Sequence, residues 1–237
     1  MEYSLDIYLF QGVGMTPPEI LQQCVHQVPF SVLFSAFPEL RFVWNSTHSQ
    51  WRNICHKEEW KARFRACQDD QQQRFYQETF HAPDMEYYQT LERLGEEKYW
   101  SEALGQGWFL NRGKISYPKL AWLSQFEQRG VFWYPNGGFR EWHSNYPYNQ
   151  ETDVSGWRIY LVDVETEGQS GFQYLNSKGE LVHCADRKGY ANVFWLPRTK
   201  FFWHAVYSKT NRFSCGFRPL PHVSRAVSRV IEDVYAK

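Results

Sequence analysis

Residues 201–218 read FFWHAVYSKTNRFSCGFR, two aromatic, β-prone runs on either side of Ser208-Lys209-Thr210-Asn211. Side chains alternate across a strand, so His204 and Val206 share one face of the first run and Trp203 and Ala205 the other. In the second run Arg212, Ser214, Gly216 and Arg218 share a face, opposite Phe213, Cys215 and Phe217. Packing alone gives no reason to set Arg, Ser and Arg on one side of a buried strand. They face water or line a cavity that wants a guanidinium.

Upstream the same grammar holds. Strands are expected at WRIYLVDV (157–164), GFQYLN (171–176), GELVHC (179–184) and YANVFWLP (190–197), with turns at NSKG and SKTN. In GVFWYPNGGFREWHSN (130–145) two β-prone runs flank Asn136-Gly137, a dipeptide that signals a hairpin. Short strands at this spacing predict a sandwich or barrel.

Before Gly107 the pattern is helical. Thr16 as N-cap and Glu19 at the capping-box position start a helix from about Thr16 to His26. From Trp51 to Phe80 the stripe Ile54, Trp60, Phe64, Cys67 and Phe75 predicts one amphipathic helix. Asp84 caps MEYYQTLERLGEEKYWSEALG, with Tyr88, Leu91 and Leu94 on one face and Gly105 and Gly107 at its end. Val223, Val227, Val230, Ile231 and Val234 give the tail a last helix. The expectation is one domain: a mainly helical region to about 107, a β core over about 108–220, and a C-terminal helix over about 221–237.

Aromatic residues make up 19% of the 237 and hydrophobic ones 43%, ample apolar area for a folded core. Twenty-six basic residues balance 26 acidic ones, so no overall field draws in nucleic acid or an anionic membrane. MEYSLDIYLF lacks the basic start and small-residue cleavage site of a signal peptide, which gives a cytoplasmic expectation. Five cysteines with no CxxC pair fit neither a disulfide framework nor a structural zinc site, Cys55-His56 with Cys67 included. They read as reduced core thiols.

His143-x-Asn145, His204 sixty-one positions later, and Arg212-Phe213-Ser214 eight further on form an ordered set. It resembles the His-x-Asp/Glu, distal His, Arg-x-Ser order of iron(II)- and 2-oxoglutarate-dependent oxygenases, over about Val131 to Arg218. The resemblance implies an α+β chain whose C-terminal half is a double-stranded β-helix (jelly roll), buttressed by the helical N-terminal half and the C-terminal helix. It implies a facial site for Fe(II) with open positions, in which His143, Asn145 and His204 are the metal positions. Arg212, Ser214 and Tyr160 would hold the distal carboxylate of 2-oxoglutarate, a planar guanidinium being well suited to that task. Arg218, close to the strand end, ranks second as anchor. The implied reaction hydroxylates an unactivated C–H bond of a small molecule, amino acid or peptide as 2-oxoglutarate is cleaved to succinate.

Asn145 departs from the pattern, because an amide brings a dipole where a carboxylate brings charge. Three arrangements are open: Asn145 or a water completes the site; Glu141 or Asp153 supplies the acid; or the site is vestigial and the chain is a binding module. A sugar-binding cupin or lectin-like jelly roll and a helical interaction scaffold are the rivals. A zinc hydrolase is disfavoured by the absence of HExxH. Trp133, Tyr134, Phe139, Trp142, Trp195 and Trp203 either wall a dry pocket or fill the core. The helical half is read as shaping the entrance and contributing to a homodimer.

Overall fold

The computed structural model describes residues 24–94, 101–117, 123–145, 155–197 and 202–236. Its strands are β1 (His26–Pro29), β2 (Ser101–Gly105), β3 (Trp108–Asn111), β4 (Lys114–Tyr117), β5 (Phe126–Tyr134) and β6 (Phe139–His143). They continue with β7 (Gly156–Val164), β8 (Ser170–Leu175), β9 (Leu181–Ala185), β10 (Tyr190–Leu196), β11 (His204–Ser208) and β12 (Arg212–Pro219). The helices are α1 (Phe30–Ala36), α2 (Pro38–Arg52), α3 (Glu58–Ala66), α4 (Asp70–Glu78), α5 (Met85–Leu94) and, after a short 3-10 turn, α6 (Ser224–Tyr235).

Two antiparallel sheets face each other. The larger runs β1-β10-β7-β12-β5-β4-β3-β2 and the smaller β6-β11-β8-β9. From β5 onward the chain passes back and forth between them, with only β8 and β9 adjacent within one sheet. This strand order is a double-stranded β-helix, as expected. The six strands predicted between 157 and 218 all form.

Alternation sorts the side chains into three apolar layers. Phe213, Cys215, Phe217, Trp133 and Ile159 leave the larger sheet outward and meet Trp44, Trp51 and Trp60 of α2 and α3. Trp51 stacks on Phe213 with ring centroids 5.1 Å apart. Between the sheets lie Tyr134, Phe172, Phe194, Phe202 and Val206. On the far side of the smaller sheet Phe139, Trp142, Trp203 and Ala205 pack under Phe75 and Tyr88 of α4 and α5. Both sheets are thus covered by helices, which fixes the barrel walls and explains why aromatic residues are so numerous.

Several expectations are corrected. The Asn136-Gly137 turn forms, with Gly137 at φ +83° and Gly138 N donating to Pro135 O at 2.7 Å. It joins strands of opposite sheets, because β5 pairs with β12 and β6 with β11. The single helix expected over 51–80 is three: α2 starts earlier, at Pro38, and ends at Arg52, and α4 begins where Asp69 accepts from Gln72 N at 2.8 Å. Asp84 does cap α5, accepting from Tyr87 N at 3.1 Å. Its described part runs to Leu94, and 101–105, expected to be its last turns, is strand β2. The helix expected over 16–26 lies outside the described residues up to 23, and His26 opens strand β1. No helix among the described residues is long and apolar enough to cross a membrane.

Candidate functional site

In the smaller sheet β6 and β11 place His143 directly opposite His204, ring centroids 4.1 Å apart. Both are buried. The Nδ1 atoms lie 2.7 Å from Glu141 O and 2.8 Å from Phe202 O respectively. A carbonyl only accepts, so each Nδ1 carries the proton and donates, and each Nε2 keeps a lone pair. That is the tautomer a metal-ligating imidazole needs, held by a backbone partner. Asn145 sits at φ +56°, a left-handed conformation that asparagine tolerates, with Nδ2 3.0 Å from His204 Nε2. A half-turn of the amide brings its carbonyl oxygen to the same place.

Glu141 does not join them. His204 pairs with His143 but Val206 with Arg140, so two steps along β11 match three along β6. The surplus residue is a β-bulge, which re-aims side chains and breaks strict alternation. Arg140 and His143 consequently both line the cavity, while Glu141 pairs with Arg112 and Arg140 at 3.1 Å each. Burial alone would raise the Glu141 pKa, but Arg140, Lys114 and Arg112 outweigh it and hold the carboxyl below its ordinary value. Glu141 as the missing acid is therefore corrected, and Asp153 lies outside the described residues. Among those residues no three His, Cys, Asp or Glu side chains converge.

The opposite wall is the inner face of the larger sheet. Arg212 and Ser214 of β12 and Tyr160 of β7 line the same cavity of about 330 Å³ as the histidines and Asn145. The Ser214 hydroxyl is buried and has no hydrogen-bond partner among the described residues. Arg212 is 1% exposed and donates through Nε and Nη2 to Asp186 at 2.8 and 3.4 Å. Asp186 also accepts from Ser170 Oγ at 2.7 Å and Asn192 Nδ2 at 2.9 Å. Two of the three guanidinium nitrogens are thus committed, leaving Nη1 for a ligand. Arg218, the second-ranked anchor, lies instead with Glu127 at 2.6 Å and does not line the cavity. Of the aromatics proposed as walls only Tyr134 lines it; Trp133, Phe139, Trp142, Trp195 and Trp203 are core, and Phe132, Tyr160 and Phe172 take their place.

Burial pushes the His204 pKa down to about 3, Arg140 and Arg158 adding repulsion against the favourable Phe202 carbonyl. His143 is lowered well below its ordinary value by burial, then by His204 and Arg140. Unfolded, both titrate near about 6.5. Below that pH the unfolded chain binds protons the folded chain refuses, so stability is lost as pH falls from about 6.5, continuing toward 3 for His204. The expected slope is up to about 1.4 kcal/mol per pH unit per histidine. Urea unfolding between pH 7 and pH 5 measures it, and His204→Gln should flatten it. Equal slopes in the two proteins would mean that His204 titrates alike folded and unfolded.

No protein-family model matches the chain, and no curated protein matches it significantly. Among solved structures it is similar to a Pseudomonas putida prolyl-4-hydroxylase, at 18% identity over 40% of this chain and 50% of that one, with a TM-score of 0.32. It is also similar to a cupin domain from Bordetella pertussis Tohama I, at 15% identity over 44% and 93%, TM-score 0.27. A third is the structure of OsALKBH1, at 13% identity over 56% and 61%, TM-score 0.29. The chain spans half the length of the hydroxylase. The fold itself stands on the strand order.

Two Nε2 lone pairs and an amide within 3.0 Å of one of them fit a divalent metal that needs further oxygen ligands. A buried hydroxyl without a partner beside a guanidinium fits a carboxylate. Sequence reasoning missed Asn111, Lys114, Arg129 and Arg140 in the lining, and Asp186 behind Arg212. Arg140 was hidden by the bulge. Lys114 opens β4 and Arg129 lies within β5, strands that carry little alternation, and Asp186 follows β9 in a polar turn.

Proposed function

We propose that the chain is an Fe(II)- and 2-oxoglutarate-dependent oxygenase that oxidises an unactivated C–H bond of a small molecule, amino acid or peptide. The observation that carries the reading is that the paired imidazoles of His143 and His204 share one cavity with Arg212 and the orphaned hydroxyl of Ser214. When bound, the metal and 2-oxoglutarate supply the oxygen-activating chemistry; the protein contributes position and exclusion of water. His143 and His204 hold the metal through Nε2, with Asn145 or water beside them. Ser214 donates its hydroxyl hydrogen to the distal carboxylate of 2-oxoglutarate, Arg212 contributes its Nη1 edge, and Tyr160 is a further donor from β7. Phe132, Tyr134 and Phe172 keep water from the reacting carbon.

A second reading, a jelly-roll module that binds a small molecule without catalysis, is favoured by one observation: among the described residues the imidazole pair has no carboxylate. Anaerobic Fe(II) with 2-oxoglutarate separates the two. The oxygenase reading expects a visible charge-transfer band that His143→Ala or His204→Ala abolishes, and a 2-oxoglutarate affinity that Ser214→Ala weakens by about tenfold or more, the scale of a hydrogen bond to a charged group. No band and no retained iron at excess metal would leave the binding module.

A further inference from the structure

β3 and β4 form a hairpin in which Asn111 pairs with Lys114 across the two turn residues Arg112 and Gly113. Arg112 takes a left-handed φ of +43° to make the turn. The tip docks on the smaller sheet: Phe139 N donates to Gly113 O at 2.6 Å, and Arg112 Nη1 donates to Glu141 Oε1 at 3.1 Å. A Cβ on Gly113 would lie 2.4 Å from the Phe139 ring, so glycine is what lets the tip come this close. The hairpin therefore bridges the two sheets, and Asn111 lines the cavity at its base.

Nothing in the strand itself asks for asparagine at 111. Alternation along WFLN sends Trp108 and Leu110 into the layer under the helices and leaves Asn111 facing the chamber. Asparagine is depleted in strands, and near a turn it commonly bonds the local backbone. Here Oδ1 is buried and has no hydrogen-bond partner among the described residues. A desolvated acceptor without a donor is destabilising, and a residue that breaks local rules with no structural gain points to a ligand. No bond to Oδ1 opposes rotation of the amide, whose terminal torsion is broad and two-fold, so the carbonyl can turn to whatever enters.

The register sets Asn111 apart from the cosubstrate groups. Lys114 precedes Ile115, the partner of Trp133, and so stands level with Tyr134, which pairs with Arg212. Asn111, Lys114, Tyr134 and Arg212 thus form one row across four neighbouring strands, and all four line the cavity. At the usual strand spacing the Asn111 backbone is roughly 14 Å from that of Arg212, further than a five-carbon dicarboxylate spans.

We propose that Asn111 is a specificity residue that reads an uncharged amide N–H of the substrate through Oδ1, at the β3–β4 side of the chamber, while Arg212 and Ser214 hold the cosubstrate. The word substrate rests on the oxygenase reading; the subsite rests on the hairpin and the unpartnered Oδ1. A neutral acceptor suits a neutral donor, because it brings no charge to offset a desolvated ammonium. An amide complements both side-chain atoms, its N–H meeting Oδ1 and its carbonyl meeting Nδ2.

Titration of the whole chain with N-methylacetamide and with N,N-dimethylacetamide, which lacks the N–H, tests this when followed by nuclear magnetic resonance. The parent should bind the first about tenfold more tightly, the scale of leaving a buried acceptor unpaired. Asn111→Leu should erase the preference, and its 2-oxoglutarate affinity, measured with Zn(II), should match the parent's. Asn111→Ala should erase the preference as well, which keeps the test sound if leucine does not fit. Equal affinity of the parent for the two amides, a preference that survives Asn111→Ala, or a loss of 2-oxoglutarate binding in these variants as large as that of Ser214→Ala would overturn the proposal. An Asn111-dependent preference in a chain that gives no charge-transfer band with Fe(II) and 2-oxoglutarate would uphold the amide subsite and sink the oxygenase reading alone.

Discussion

Arg212→Ala is expected to cost about 3–5 kcal/mol of folding stability, the penalty for stranding one member of a buried ion pair. The Arg212 and Asp186 side chains are 2% and 0% exposed. Without the guanidinium, Asp186 keeps Ser170 and Asn192 as side-chain donors and, among the described residues, has no ion-pair partner. Urea denaturation would read this as a lower midpoint at unchanged slope. A loss below about 1 kcal/mol, the ordinary worth of an exposed pair, would mean that Asp186 reaches water when Arg212 is gone. The consequence for function is practical. Lost 2-oxoglutarate binding in Arg212→Ala mixes folding with recognition, whereas Ser214→Ala removes a hydroxyl that no other described residue uses.

Asn145→Asp should tighten divalent-metal binding on the order of 100-fold, since even groups that only orient metal ligands are worth 10–100-fold. The Asn145 amide is already 3.0 Å from His204 Nε2, and aspartate tolerates the same left-handed backbone. A carboxylate there adds a full negative charge to a wall that otherwise offers neutral imidazoles. Competition of Mn(II) or Co(II) against a chromophoric chelator measures it. An unchanged affinity would place the acid, if one exists, elsewhere on the chain. In the metal-free protein the same substitution should favour the charged form of His204 and so soften the acid sensitivity expected of the parent.

The sequence was most legible where a period of two was unbroken. In β11 and β12 alternation alone put His204 and Val206, and Arg212 and Ser214, on the cavity face, with Phe213, Cys215 and Phe217 under the helices. It failed where local signals carry no information about which sheet a strand joins. Asn136-Gly137 specifies a tight turn, yet whether the turn closes a hairpin or crosses between sheets depends on β11 and β12, some seventy residues away. The breaks between α2, α3 and α4 left the apolar stripe nearly continuous, so periodicity passed over them. The markers were present in Pro38 at the first position of α2 and in the Asp69 cap of α4. Among the residues that line the cavity, the histidines, Asn145, Arg212, Ser214 and Tyr160 were named from the sequence. The basic residues around Tyr160 and the Asp186 anchor were not, because each gains its place only through tertiary contact.

The single surplus residue of β6 makes the length of that strand part of the chemistry. Were β6 to run in step with β11 at its present length, Glu141 would stand opposite Val206 and face the chamber, while Arg140 turned toward the covering helices. The bulge thus sets a cation where a carboxylate would otherwise stand, without altering either residue.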